Sequence, residues 1–468
     1  MNTDRLVKSP ETINAEILAD ADFKTPLLDT IDPNDIKVYK KRWYILAMFF
    51  LVSVGQGILY NTWSPIQRTA RAVYKWDSFM IDLMPALGCI GPCFTIIPLG
   101  WLMDVKGMRV AVILAAGCQF FGSVLRCIPT GGDWIASTIL ICFGQALSGV
   151  TAPIPLSGGV LLSATWFPGN QRTTSTALLM AGSFSGSALS FIIGPLFVDD
   201  IGPTDYNQVN STQREFYFKQ IRNLVWVESA LMGLLFLAVI IYYPAKPPRL
   251  PSRSSGTGRM SPKSGILQLL KNRNFLLLAL LYGASCGVYS GWSSVLDQTL
   301  EGFDVGQTFA GWLGFIAIVC GASSGVFFSI FSDRFAGHLK DFLIFFMACA
   351  TISVLIVSFI FSRVIAFNKI LISVMFGLTG FFVNGALPFF FEFGAEIAYP
   401  VAEGITSSVI KFSDYFLQAL FLIVSMGHFG GTWMTWVMMV TISATTIFLP
   451  CVRESYNRLN IDKCPSLE

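Results

Sequence analysis

The sequence predicts an all-α, polytopic membrane protein of twelve transmembrane helices, arranged as six plus six. Three observations carry this. Of the 468 residues, 53% are hydrophobic and only 13% charged, against roughly 25% charged in soluble domains. Apolar runs of about 20 residues, enough to cross a bilayer core as a helix, recur along the chain. A Pro-, Ser- and Arg-rich stretch divides these runs into two equal sets.

Residues 1–42 are polar and acidic, from Asp4 to Asp35, and lack the apolar core of a signal peptide. They read as a disordered cytoplasmic tail. The N-terminal half, 43–243, holds candidate spans at 43–63, 79–102, 109–128, 134–163, 173–197 and 224–243. The fourth carries Pro153 and Pro155, which remove backbone donors and predict a break. Residues 244–273, "PAKPPRLPSRSSGTGRMSPKSGILQLLKNR", read as a flexible cytoplasmic linker. The C-terminal half, 274–452, holds spans at 274–296, 307–331, 339–362, 368–391, 404–426 and 432–451, and 453–468 is a cytoplasmic tail.

With both termini cytoplasmic, the cytoplasmic segments near the membrane carry nineteen Lys and Arg and the opposite ones nine. That bias has the sign of the positive-inside rule. The sequon Asn210-Ser211-Thr212 then falls on the non-cytoplasmic side, as a glycosylation site requires. The net charge of +3 argues against nucleic acid as a partner. The ten cysteines form no C-x-x-C pair and the two histidines are far apart, so no metal site is expected. No nucleophile–base set and no phosphate-binding G-x-x-x-x-G-K-[ST] occurs. The sequence therefore predicts no enzyme and no cofactor. The expected partners are a small-molecule substrate, protons and the lipid bilayer.

"GWLMDVKGMR" (100–109) joins the second and third spans. Gly107 suits a turn that needs φ > 0. Asp104, at a helix end, can accept bonds from a neighbouring helix N-terminus or from Arg109. The stretch resembles the G-x-x-x-D-x-x-G-x-R loop of the major facilitator superfamily, which implies that fold and a gating role for Asp104, Gly107 and Arg109. The matching turn of the second half, "FSDRFAGHLK", keeps Asp333, Arg334 and Gly337 but is one residue longer. "FFEFGAEIAYPVAEGIT" (390–406), "NTWSPIQ", "LRCIP", "TWFPGNQRTTSTA", "GWSSVLD" and "RESYNRL" are similar to the feline leukaemia virus subgroup C receptor-related transporters, solute carrier family 49, and to their lysosomal branch. The resemblance implies a proton-coupled carrier of a pyridoxine-like (vitamin B6) metabolite in the lysosomal membrane. "DFKTPLL" places four residues between Asp22 and Leu27-Leu28, one more than a sorting dileucine uses. It is the expected contact for a clathrin adaptor, with the plasma membrane as the alternative location.

In the resembled fold spans 1, 4, 7 and 10 line the cavity. At ~1.5 Å per residue, Gln56, Gln145, Tyr289 and Asn384 all fall near mid-bilayer, about 16–23 Å into their spans. Carboxamides at that depth either join helices or face a watery cavity. These four, with Asn61 and Trp292, are the expected substrate contacts. Related choline carriers use a Trp in span 1 and a Tyr in span 7; here Tyr289 remains but Gly57 stands in the tryptophan's place. The alternative readings are an uncoupled facilitator of choline or a related amine, and a receptor or scaffold without transport. Asp297 and Glu228 are the proton-coupling candidates. Glu392 and Glu396 fit gate partners for Arg109, Arg172 or Arg334, and Lys411–Asp414, three apart, fits an ion pair on one helix face.

Overall fold

The structure is a computed structural model. It describes residues 37–130, 133–199, 201, 210–249, 251, 262–300, 303, 305, 307–334, 337–425 and 432–459; for 78, 82, 262, 297, 298, 307, 308 and 331–334 it describes the backbone alone. Among the described residues there is no strand. Twelve helices are long and apolar enough to cross a membrane. Spans 1–6 are Lys41–Tyr74, Leu83–Lys106, Met108–Cys127, Trp134–Trp166, Gly169–Phe197 and Ser211–Ile241. Spans 7–12 are Arg273–Ser294, Phe309–Ile330, Leu339–Phe361, Lys369–Ala398, Glu403–Ser425 and Thr432–Cys451.

Differences from the hydropathy reading have simple causes. Span 6 starts at Ser211, not near 224, because Arg214, Lys219 and Arg222 lower hydropathy without opposing a helix. Its extra turns rest against helix Gln67–Tyr74, which prolongs span 1. The stretch read as a flexible linker holds the helix Pro262–Lys271, anchored by the buried Leu269.

Spans 4, 7 and 10 depart from regular α-helix within the bundle. Span 4 divides into Trp134–Val150 and Pro153–Trp166, as its prolines predict. Span 10 divides at Ala386, ahead of Pro388, into Lys369–Gly385 and Leu387–Ala398. In both, Pro sits in the first turn of the second piece, where its missing N–H costs nothing. Span 7 carries a wide turn at Gly283–Gly287. Broken helices at matching places in two halves are the usual mark of a mid-membrane site.

Spans 2 and 11, and spans 5 and 8, join the first six helices to the last six. Spans 1 and 5 cross at backbone contact: a Cβ on Gly186 would lie 2.0 Å from the Val54 carbonyl oxygen, and one on Gly182 2.8 Å from that of Phe50. Spans 8 and 10 meet in the same way, with a Cβ on Gly380 falling 2.1 Å from the Ala317 oxygen. These small-residue crossings let backbones approach where lipid gives no hydrophobic drive to associate.

Candidate functional site: a central cavity

Between the two halves lies a cavity of about 170 Å³. Gln56 and Asn61 reach it from span 1, Tyr289 and Trp292 from span 7, and Asn384 from span 10, one residue before Gly385 and the break. Asn61 Nδ2 donates to Ser187 Oγ at 2.8 Å, and the Gln56 oxygen accepts from Gln119 Nε2 at 3.1 Å. Gln145, placed at the same depth by the sequence, is absent from the lining. Its side-chain oxygen takes Arg126 Nη2 at 2.7 Å, and its amide donates to the Tyr60 carbonyl at 3.3 Å. Depth was legible; the direction in which the residue points around the helix was not.

The far wall comes from residues outside that depth set. Tyr60, Tyr282, Tyr415 and Gln418 line the cavity, and so do Lys411 and Asp414. Lys411 Nζ is 2.6 Å from Asp414 Oδ2, the ion pair that the spacing predicts. It is more than a helix-surface pair. The ammonium lies 5.1 Å over the Tyr415 ring, 5.7 Å over the Tyr282 ring and 3.4 Å from the Tyr282 hydroxyl. Asp414 is 1% exposed, and its Oδ1 has no hydrogen-bond partner.

Glu228 lies elsewhere, buried at 2% exposure among spans 1, 3 and 6. The Thr62 hydroxyl is 3.0 and 3.1 Å from its two oxygens, and Arg126 Nη1 is 3.9 Å away. Arg126 is buried inside the bundle. It also bonds the Leu59 carbonyl and Gln145. Glu228 does not line the cavity.

On the face that carries Asp104, the halves are tied together. Asp104 Oδ1 and Oδ2 accept from the Gly404 and Ile405 amides at 3.1 and 2.9 Å, at the N-terminus of span 11. A carboxylate is favoured there by the unpaired amides and the helix dipole. Of the two partners that the sequence allowed, the helix N-terminus is the one engaged; Arg109 is exposed. Gly107 has φ +87° and Gly337, in the matching turn, +110°. Ser407 donates to the Ser157 carbonyl at 3.0 Å, and Thr176 to Glu392 at 2.6 Å. Glu392 and Glu396 both pair with Arg458, from the segment after span 12. Its Nε is 3.1 Å from Glu396, and Glu403 lies 3.9 Å from Nη1. Burial works against its charge, but Glu392, Glu396 and Glu403 outweigh it and hold the guanidinium above its ordinary pKa.

The family model for the major facilitator superfamily matches residues 45–421. The solute carrier family 49 member 4 homolog of Xenopus laevis is 34% identical over 445 residues, 94% of this chain and 97% of that one. The chain belongs to solute carrier family 49 of the major facilitator superfamily. The choline/ethanolamine transporter flvcr2b of Danio rerio is 25% identical over 439 residues, 91% of this chain and 86% of that one. Among solved structures, the E. coli fucose:proton symporter shares the fold at a TM-score of 0.65 and 16% identity, over 90% of this chain and 100% of that one.

For this solute carrier family 49 chain, family and fold point to a multi-pass membrane transporter with a small-molecule substrate. Arg458 carried a legible signal: it lies inside "RESYNRL", a stretch read only as a family mark. Asn210 is exposed just ahead of helix Ser211–Ile241. Leu27 and Leu28 lie outside the described residues, as do the side chains of Asp297, Asp333 and Arg334.

Proposed function

We propose that this transporter moves a small polar ring metabolite of the pyridoxine type across the lysosomal membrane, coupled to protons, by alternating access. The observation that carries the reading is the cavity between the halves. It offers amide, hydroxyl and aromatic groups at mid-span, and cross-half bonds seal it on the Asp104 face. In this reading the Asp104 face is cytoplasmic, following the Lys and Arg bias, and the Asn210 face is luminal. Asp104, Gly107, Arg109 and the Asp333–Arg334 turn form the cytoplasmic gate with Glu392 and Glu396. Gln56, Asn61, Tyr289, Trp292 and Asn384 bind substrate. Leu27-Leu28 supplies the adaptor contact that directs the protein to lysosomes.

Glu228 is the described candidate for proton carriage. Protonation would neutralise a buried carboxylate and free Arg126, whose guanidinium reaches the span 1 carbonyl of Leu59 beside the cavity helix. The fucose:proton symporter, by its name, couples to protons on the same fold.

A choline facilitator is the second reading, favoured by the relative flvcr2b and by Tyr289 on the cavity wall. Against it stands Gly57. A Cβ there would lie 2.2 Å from the Ser183 carbonyl oxygen, so span 5 occupies the place where a tryptophan would stand.

Reconstituted protein, given labelled pyridoxine and an imposed pH gradient, tests the proposal. Uptake is expected to follow acidification of the luminal face and to collapse with a protonophore. Pyridoxine flux indifferent to pH on both faces would remove the coupling. Choline flux without pyridoxine flux would replace the substrate.

A further inference from the structure

The Lys411–Asp414 pair leaves a definite set of bonds unmade. The ammonium has three donors; one goes to Asp414 Oδ2 and one to the Tyr282 hydroxyl. One remains. Asp414 Oδ1 is a charged acceptor with no partner, on a residue that is 1% exposed and lines the cavity. The Tyr415 hydroxyl and Trp292 Nε1, on the same cavity, also lack partners. Buried polar atoms in native proteins are nearly always paired, so such a cluster calls for an occupant. Span 11 places the pair centrally: Asp414 is eleven residues past Glu403, about 16 Å along a helix of ~1.5 Å rise.

Charge narrows the occupant. Lys411 and Asp414 are the charged groups among the described side chains that line the cavity, and together they are neutral. A ligand with a net positive charge would leave an uncompensated cation beside Lys411 in a desolvated space, which is costly. A ligand that is itself a neutral dipole adds no net charge. Its positive N–H can meet Asp414 Oδ1. Its negative oxygen can meet the free donor of Lys411 and the Tyr415 hydroxyl. A flat ring between these ends would lie among Tyr60, Tyr282 and Tyr415.

We propose that Lys411 and Asp414 form the charged substrate subsite of the cavity, and that it selects zwitterionic rings bearing a protonated nitrogen and an ionised hydroxyl, as 3-hydroxypyridines are at neutral pH. The inference rests on the pyridoxine-type reading above and names the part of the site that would recognise it. It also excludes choline from this subsite on chemical grounds: a quaternary ammonium has a positive charge and no N–H to give Asp414 Oδ1.

The test uses the full-length protein in proteoliposomes. Wild-type uptake of labelled pyridoxine is competed with unlabelled pyridoxine, with the analogue whose ring hydroxyl is replaced by hydrogen, and with choline. The analogue and choline are expected to compete at least tenfold more weakly than pyridoxine. Asp414→Asn, Lys411→Met and the reversal Lys411→Asp/Asp414→Lys are then compared with wild type by thermal melting and by uptake. The reversal keeps an i,i+3 ion pair, so a purely structural pair would tolerate it. We expect it to melt near wild type and to lose at least tenfold in apparent affinity. Wild-type affinity in the reversal variant, or equal competition by the analogue lacking the hydroxyl, overturns the subsite. The competition arm uses unmodified protein and decides the matter even where a variant does not fold. A wild-type protein that carries no pyridoxine overturns the substrate reading and this inference together, whereas failure of the inference alone leaves wild-type pyridoxine uptake intact.

Discussion

Each half of the transporter buries a carboxylate beside a basic side chain, and the two sites differ in what is left over. In the first half, the Thr62 hydroxyl lies 3.0 and 3.1 Å from the two Glu228 oxygens, and Arg126 reaches Leu59 and Gln145 while its Nε has no partner. Neither residue faces the cavity. In the second half, Asp414 has one oxygen on Lys411 and one on nothing, and both residues face the cavity. A network whose carboxylate is engaged between spans holds helices in register. An open carboxylate oxygen on a cavity wall costs stability unless something binds. The contrast teaches that a membrane carboxylate is to be judged by its remaining bonds and not by its depth.

The largest expected effect breaks the first site. Glu228→Gln leaves Arg126 as an unpaired cation, fully desolvated among spans 1, 3 and 4. Removing one member of a buried pair costs about 3–5 kcal/mol; the separation of 3.9 Å puts this site at the low end. A sharp fall in melting temperature in detergent is the measure. Replacing both residues by apolar ones of similar volume should recover most of the loss. Asp414→Asn should lower the melt by far less, about 1 kcal/mol, because Lys411 keeps the Tyr282 hydroxyl and the faces of the Tyr282 and Tyr415 rings. Equal losses at the two sites would abolish the distinction.

A pair of amides sharpens the same comparison. Gln145 and Asn384 looked alike in the sequence, both polar and both near mid-span. Gln145→Ala removes a partner of Arg126 and should act on stability, by roughly 0.6–1.7 kcal/mol for a hydrogen bond in a membrane bundle. The Asn384 amide faces the cavity and Tyr289, with Gly321 of span 8 packed beside it and leaving room for the shorter side chain. Asn384→Ala should leave the melt unchanged and weaken apparent substrate affinity roughly five- to two-hundred-fold, as the loss of about 1–3 kcal/mol implies. Uptake kinetics set beside melts separate the two; the reverse pattern would place Gln145 in the site and Asn384 in the packing.

These cases mark what the sequence makes legible. Span number, the break at Pro153, the turn at Gly107 and the small-residue crossing at Gly182 and Gly186 each follow from a local rule: hydropathy, a missing N–H, a positive φ, an absent side chain. The second broken span is equally open to that rule at Pro388. The faces of spans 3, 4 and 11 were not legible. No turn or proline fixes rotation about a helix axis; packing against neighbours does, so Gln145 turned to Arg126 and Asp414 to the cavity. The partners of Arg458 were not legible for another reason: the three carboxylates lie 55 to 66 residues away in sequence.

The smallest expected effect is the most selective. The Tyr415 hydroxyl is buried without a partner, beside the unpaired Asp414 oxygen. Tyr415→Phe removes that hydroxyl and keeps the ring that packs against Lys411. An unsatisfied buried group contributes nothing to the fold and costs desolvation, so its removal should leave the melt unchanged or raise it slightly. Thr62→Val is the matching change in the first half. It strips Glu228 of its hydroxyl partner, and the melt should fall by about 1 kcal/mol with substrate affinity unaltered. With ligand present the order inverts. If Tyr415 completes the cavity's bonds to a bound ring, the phenylalanine variant should lose several-fold in apparent affinity and gain less thermal protection from pyridoxine than wild type. Protection equal to wild type would mean that the hydroxyl meets no ligand, and that the open bonds of the second half serve something other than substrate.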